Sequence, residues 1–334
     1  MATVAEAIDE IAGRTGFSGV VRVDEADGSA WSGAYGQADR AHGIANTADT
    51  IFGLASGGKG FTALTVASLI DEGTLAFDTT ARSILGDDLP LIRDDVTVEL
   101  LLAHRSGIGD YLDEDEWEVT DVVMPVSVHR LAETEDFVPI LDGFPMAFEP
   151  DERFAYCNGG FVVLALLAER AAGTPFHELV RTRVCEPAGL ADTGFLRSDE
   201  LPGRAALGYL GDGPRTNVFH LPVLASGDGG IYSTAADIRT MWTALFEGRI
   251  VRPETVATLV RPRSAVPEDE RRYGLGFWLH ETSDVVMLTG YDAGASFRSA
   301  HDPTRSRTRT VISNQTEQAW DMTDALDEVL GVLA

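Results

Sequence analysis

Apolar and polar positions alternate in a way that places β structure at both ends of the chain and helices between them. Phe17 to Val23 is rich in Val and Phe, Asp27-Gly28 supplies a turn, and Ala30 to Tyr35 returns, which predicts a β-hairpin over residues 17–35. Phe61 to Leu75 reads as a helix: Phe61, Leu64, Thr65, Ala67, Ser68 and Leu69 give a mostly apolar body, and Gly73 stops it. Val98 to Ala103 predicts a short helix ending at His104-Arg105-Ser106-Gly107. Phe161 to Ala172 begins with an unbroken apolar run and is closed by Gly173, which predicts a buried helix. Another helix is expected over 235–247, after Ser233-Thr234. The tail returns to β at Leu275 to Leu279, Val285 to Leu288, Ala295 to Ser299 and Thr308 to Ile312, before a last helix from Met322 to Leu333. Arg305-Ser306-Arg307-Thr308-Arg309 reads as the exposed hairpin between the last two strands. Residues 109–150 are acidic and irregular, with Asp113-Glu114-Asp115-Glu116 a solvated loop. The expectation is an α/β (α+β) fold. Residues 1–80 and 236–334 would build one mostly antiparallel sheet flanked by helices, and 81–235 a mainly helical domain.

Charge narrows the partners. The chain has 334 residues with 26 Lys+Arg against 53 Asp+Glu, a net charge of −27. Such a surface repels phosphate backbones and anionic lipid, which argues against nucleic-acid and membrane partners. The longest apolar stretch, Phe161 to Ala168, is too short to span a bilayer. The first residues show neither a basic nor an apolar leader region, so a cytoplasmic location is expected. Cys157 and Cys185 fit buried thiols, and no Cys/His spacing suggests a metal. Neither metal nor cofactor is expected.

One count points to chemistry. Lys59 is the single lysine, and all other basic residues are arginine. Arginine stays protonated, whereas lysine can lose its proton when its surroundings lower the pKa. A lone lysine therefore suggests a position where arginine would not do. Ser56-Gly57-Gly58-Lys59 precedes the 61–75 helix. Residues three apart share a helix face, so the amine can approach the hydroxyl and take its proton. Alone, the pattern fits equally an N-cap serine beside an exposed lysine. The stretch from Gly53 to Gly60 also nearly matches a phosphate loop, but Gly60 stands where a hydroxyl should ligate magnesium. Tyr156-Cys157-Asn158 offers a phenol that can shuttle a proton and an amide that can hold a substrate. The same residues would serve as a packed tyrosine and a capping asparagine. Gly290-Tyr291-Asp292-Ala293-Gly294-Ala295-Ser296 joins two β segments, where a backbone N–H can approach a substrate carbonyl or form a plain turn.

These motifs, in this order, resemble the serine β-lactamase/DD-peptidase superfamily, and within it the class C β-lactamase-related branch. That branch also holds carboxylesterases and D-amino-acid peptidases and amidases. The matching stretches are Ile51 to Leu64, Leu101 to Ile108, Phe154 to Phe161 and Ser226 to Asp237. The resemblance covers roughly residues 15–330. It implies a β-lactamase/transpeptidase-like fold, with Ser56 the acylated nucleophile and Lys59 its base or proton relay. It makes Tyr156 the proton shuttle and Asn158 a substrate-positioning residue. The oxyanion hole would join the Ser56 N–H to a second donor, placed by family spacing at Gly294, three residues after Tyr291. His104 would be structural. The family's third motif is Lys or His, any residue, then Gly, and here Tyr291-Asp292-Ala293 is read in its place. Without that cation, recognition of a substrate carboxylate weakens, although Arg298 or His301 could stand in. The resemblance therefore favours a carboxylesterase on small esters. A D-amino-acid amidase or peptidase, or a weak β-lactamase, is the alternative. A non-catalytic ligand-binding protein of the same fold is the reading of another class.

Acidic excess with scarce lysine also resembles proteins from salt-rich cells, although GC-rich genomes favour arginine too. If salt adaptation is the cause, the thermal unfolding midpoint should rise between low and molar KCl. A midpoint that stays flat or falls would count against it.

Overall fold

The computed structural model describes residues 2–112 and 119–331. Its elements in chain order begin with α1 (Ala2–Thr15), β1 (Gly19–Asp24), β2 (Ala30–Tyr35) and α2 (Gly58–Glu72). Next come α3 (Asn158–Ala172) and α4 (Ala235–Phe246). The tail adds β3 (Ser264–Val266), β4 (Arg271–Tyr273), β5 (Trp278–His280), β6 (Val286–Asp292), β7 (Ala295–Asp302), β8 (Arg307–Ser313) and α5 (Gln318–Leu330). Shorter helical turns, such as Val98–Leu102 and Val138–Leu141, fill the region between α2 and α4.

The strands form one eight-stranded sheet in the order β2-β1-β8-β7-β6-β5-β4-β3, with every ladder antiparallel. β1 lies between β2 and β8, pairing Gly19 with Ser313 on one side and with Tyr35 on the other. Side chains alternate across a strand. Val21, Val23 and Val311 therefore face a layer made by Val4, Ile8 and Ala12 of α1 and Ala319, Met322 and Leu326 of α5. Val20, Ile312, Phe297 and Leu288 face the main core with α2, α3 and α4. The expected mixed fold with a mostly antiparallel sheet is the one observed.

Several boundaries differ from expectation, each for a physical reason. α2 starts at Gly58 rather than Phe61. Glycine is a poor helix former, but a Cβ at Gly57 would lie 2.4 Å from the Phe297 ring and one at Gly60 2.6 Å from Leu288. α3 likewise starts at Asn158 and ends at a left-handed Gly173. α4 begins where expected, with the Thr234 side chain accepting from the Asp237 N–H. Within the stretch Leu275 to Leu279, β structure begins only at Trp278, and the pattern predicts neither β3 nor β4. Arg305 and Ser306 are exposed at the β7–β8 turn, but Thr308 and Arg309 are buried in β8. α1 is a further element that the pattern does not predict. The Asp113 to Glu116 loop lies outside the described residues. Among the described residues no helix is long and apolar enough to cross a membrane, and both cysteines are buried free thiols.

Trp242 of α4 ties the main core to the sheet. It is fully buried, its Nε1 donates to Ser299 Oγ at 3.0 Å, and it stacks on His301. Trp242→Ala should destabilise the protein by about 3–5 kcal/mol in urea unfolding. A loss below about 1 kcal/mol would contradict this packing.

Candidate active site

Ser56 sits in a tight turn, Ala55–Gly57, just before α2. Ala55 has φ +47, a conformation that a non-glycine residue holds at a cost of about 1–3 kcal/mol. Neighbouring backbone holds the turn in place. The Gly230 N–H donates to the Ala55 carbonyl, and the Leu54 N–H donates to Ile231. On the other side β6 presses against the turn. A Cβ at Gly290 would lie 2.0 Å from the Leu54 carbonyl oxygen and 2.8 Å from the Gly57 nitrogen.

Lys59, one turn into the helix, is only 2% exposed. Its Nζ lies 2.9 Å from Ser56 Oγ, 2.7 Å from Asn158 Oδ1 and 2.6 Å from the Asp228 carbonyl oxygen. The last two are acceptors only. A neutral amine donating to both has its remaining lone pair directed at the Ser56 hydroxyl, the arrangement a proton acceptor needs. An ammonium would instead donate to all three.

Tyr156 is clasped between rings: His104 at 4.4 Å on one side and Trp278, nearly parallel, at 6.3 Å. Lys59 Nζ lies 4.8 Å from the Tyr156 ring centre. His104 is buried, and burial together with the Lys59 charge pushes its imidazole well below the ordinary histidine range. Its Nδ1 accepts from the Cys157 N–H, and its faces meet Phe161 and Tyr273, so it supports Tyr156 as an uncharged ring.

Asn158 opens α3. Asp110 accepts from the Asn158 and Gly159 N–H groups at 2.5 and 2.8 Å, which caps the helix and fixes the asparagine. Burial pushes the Asp110 carboxyl up to about 6, against those N–H groups and the Lys59 charge, which pull it down. Asp228 is half-buried too, and its desolvation raises its carboxyl against the opposing pull of Lys59 and of the Tyr111 hydroxyl, which donates to it at 2.5 Å. Sequence reasoning singles out neither carboxylate. Both stand beside motif residues, but nothing in the spacing announces a cap or a buried phenol–carboxylate pair.

The structure brings Ser56, Lys59, Tyr156 and Asn158 together but places the third motif differently. The tight contact is made by Gly290, so the triplet beside the Ser56 turn is Leu288-Thr289-Gly290, not Tyr291-Asp292-Ala293. Leu288 is buried against Gly60, and no cation stands there. Asp292 pairs with Ala295 across a two-residue turn, so Asp292 and Gly290 direct their backbone groups to β7. Thr289 and Tyr291 point theirs the other way. β5 meets β6 only as far as Met287, so this other side is the cleft. Gly294 lies in the turn, with its N–H donating to Thr316 Oγ1 at 2.9 Å. Arg298 pairs with Asp324, and His301 is buried against Trp242, so neither faces Ser56.

Ser56 opens on a cleft of about 890 Å³ lined by Tyr156, Asn158, Trp278, Thr289, Tyr291 and Trp320 among others. A smaller lobe of about 60 Å³, walled by Leu112, Val119, Val122, Met124 and Leu221, also reaches Ser56.

A family model described as Beta-lactamase matches residues 4–334. Esterase EstB of Burkholderia gladioli is 29% identical, over 73% of this chain and 69% of its own. Penicillin-binding protein 4* of Bacillus subtilis is 26% identical over 83% of this chain, which spans 63% of that protein's length. The crystal structure of a penicillin binding protein from Bacillus halodurans superposes with a TM-score of 0.90 at 33% identity, covering 96% of this chain and 99% of that one. A D-amino acid amidase from Ochrobactrum anthropi SV3 shares the fold, with a TM-score of 0.81 at 23% identity, 99% of this chain and 98% of that one.

Gly290→Ala should lower kcat/KM at least about 100-fold, because the added Cβ meets backbone atoms of the turn that carries Ser56. Activity within about twofold of wild type would show that the turn and β6 can part without consequence.

Proposed function

Because the chain belongs to the beta-lactamase family, whose members include esterases, peptidases and amidases, we propose that it is a serine hydrolase with Ser56 as its nucleophile. The observation that carries this reading is the Lys59 amine, held by two carbonyl acceptors with its third position on Ser56 Oγ. Ser56 attacks the substrate carbonyl as Lys59 takes its proton. The resulting oxyanion is held by the Ser56 N–H and, from the β6 register, by the Tyr291 N–H in place of Gly294. Tyr156 relays the proton to the departing group, water then attacks the acyl-Ser56, and the free acid leaves. Asn158 keeps Lys59 in place and faces the acyl side.

The lead substrate class is small carboxylic esters. Leu288 stands where a cation would hold a substrate carboxylate, and esters do not require one there. The small lobe, whose lining includes Leu112, Val119, Val122 and Met124 beside Tyr111, His220, Asp228 and Asp292, suits a short acyl chain.

Hydrolysis of p-nitrophenyl butyrate at low and molar salt tests this. Wild type should turn over, and Ser56→Ala should lose at least about 10³-fold. Lys59→Arg should lose about 10²–10⁴-fold despite keeping its charge. Retention of more than about a tenth of the wild-type rate by Lys59→Arg would remove lysine from proton transfer.

A further inference from the structure

Beyond Trp278 the cleft wall carries an arginine that the molecule leaves unneutralised. Among the described residues, Arg271 of β4 is the one half-buried arginine whose side chain makes no hydrogen bond or ion pair; Arg153, the other unpaired arginine lining the cleft, is exposed and lies over Phe148. Its neighbours in the chain show the contrast: Arg263 pairs with Glu99, and Arg272 donates to the His280 and Ser283 carbonyls. The Arg271 guanidinium lies 5.8 Å from the Trp278 ring centre, and Trp278 stacks on Tyr156. Arg271 lines the same cleft as Ser56 and Thr289. Behind it, Arg298 faces the same side cavity and is already committed to Asp324. Burial and the Arg298 charge disfavour the Arg271 cation more than Asp269 and Asp324 support it. A bound anion would reverse that balance.

We propose that Arg271 is a specificity residue of this cleft and that the leaving group of the substrate carries a carboxylate, which the guanidinium receives beside Trp278. The proposal rests on the hydrolase reading above. Position decides which end of the substrate is meant. Tyr156 delivers the proton to the departing oxygen, Trp278 covers Tyr156, and Arg271 lies over Trp278, so its ligand belongs to the departing half. Carboxylates also line this cleft: Asp110 in its floor, and Glu268, Asp269, Glu317 and Asp321 at its rim. Asp110 is spent on the α3 N–H groups, and the four rim groups are exposed. Exposed charges act through high dielectric and are screened by salt, so at equal distance a half-buried guanidinium acts several-fold more strongly. A planar guanidinium also binds a carboxylate through two parallel hydrogen bonds.

The test compares phenyl butyrate with 3-carboxyphenyl butyrate, whose meta carboxylate barely alters the acidity of the departing phenol. Wild type should favour the charged ester in kcat/KM by about tenfold, the scale of one charge-assisted hydrogen bond, with the difference in KM. Arg271→Gln should remove that preference, and Arg271→Lys should keep part of it. An unchanged ratio between the two esters in Arg271→Gln, or a wild-type preference for the neutral ester, would overturn the assignment. If wild type hydrolyses neither ester, it is the hydrolase reading that fails. Calorimetry with 3-hydroxybenzoate then judges Arg271 alone: binding weakened about tenfold in Arg271→Gln supports it, and equal binding or none overturns it.

Discussion

The site depends on one steric constraint: backbone meets backbone around Ser56. The turn carrying Ser56 is pressed between β6 at Gly290 and the backbone at Gly229, two positions where an added Cβ would meet the turn's own backbone. That pressure keeps Ala55 in its strained conformation and aims Ser56 into the cleft rather than into the core. It also aligns the first turn of α2, so that the Lys59 amine reaches acceptors from α3 and from the 227–230 segment at once. The sheet, the central helix and the connecting segment are all anchored on this contact.

Much of this is legible in the residues. The Val-rich first strand, the apolar run of α3 and the Gly73 and Gly173 stops locate several main elements, because period and helix stops are local properties. The singular lysine points to chemistry by its count alone. What stays hidden is long-range. α1 carries only Val4, Ile8 and Ala12 as a narrow apolar stripe, and its reason to fold is α5, about 300 residues away. β3 and β4 are three-residue strands with no periodic signal. Spacing alone sets the third motif three residues late, because several glycines in that stretch fit a turn and only the contact with Leu54 and Gly57 selects Gly290.

Charge is organised differently inside and outside. The exterior is an acidic field in which most arginines are paired. The interior keeps one lysine, Arg309 paired with Asp327, and a few other carboxylates, each held by hydrogen bonds that keep it in place. An arginine at position 59 would bring a planar fork to a pocket of carbonyl oxygens spaced for a single nitrogen. That explains why a chain that uses arginine almost everywhere departs from it there.

The placement of β1 bears on how the molecule is made. Residues 19–24 pair with residues 307–313, and α1 waits for α5 in the same way. On the ribosome, β1 and β2 emerge first and their central neighbour nearly last, so the sheet cannot close during most of translation. Such distant pairing favours slow folding and leaves a strand edge uncovered meanwhile. Nascent chains of this protein should therefore call on chaperones until residue 313 has cleared the exit tunnel, and the cleft at Ser56, built on that sheet, is among the last parts to form.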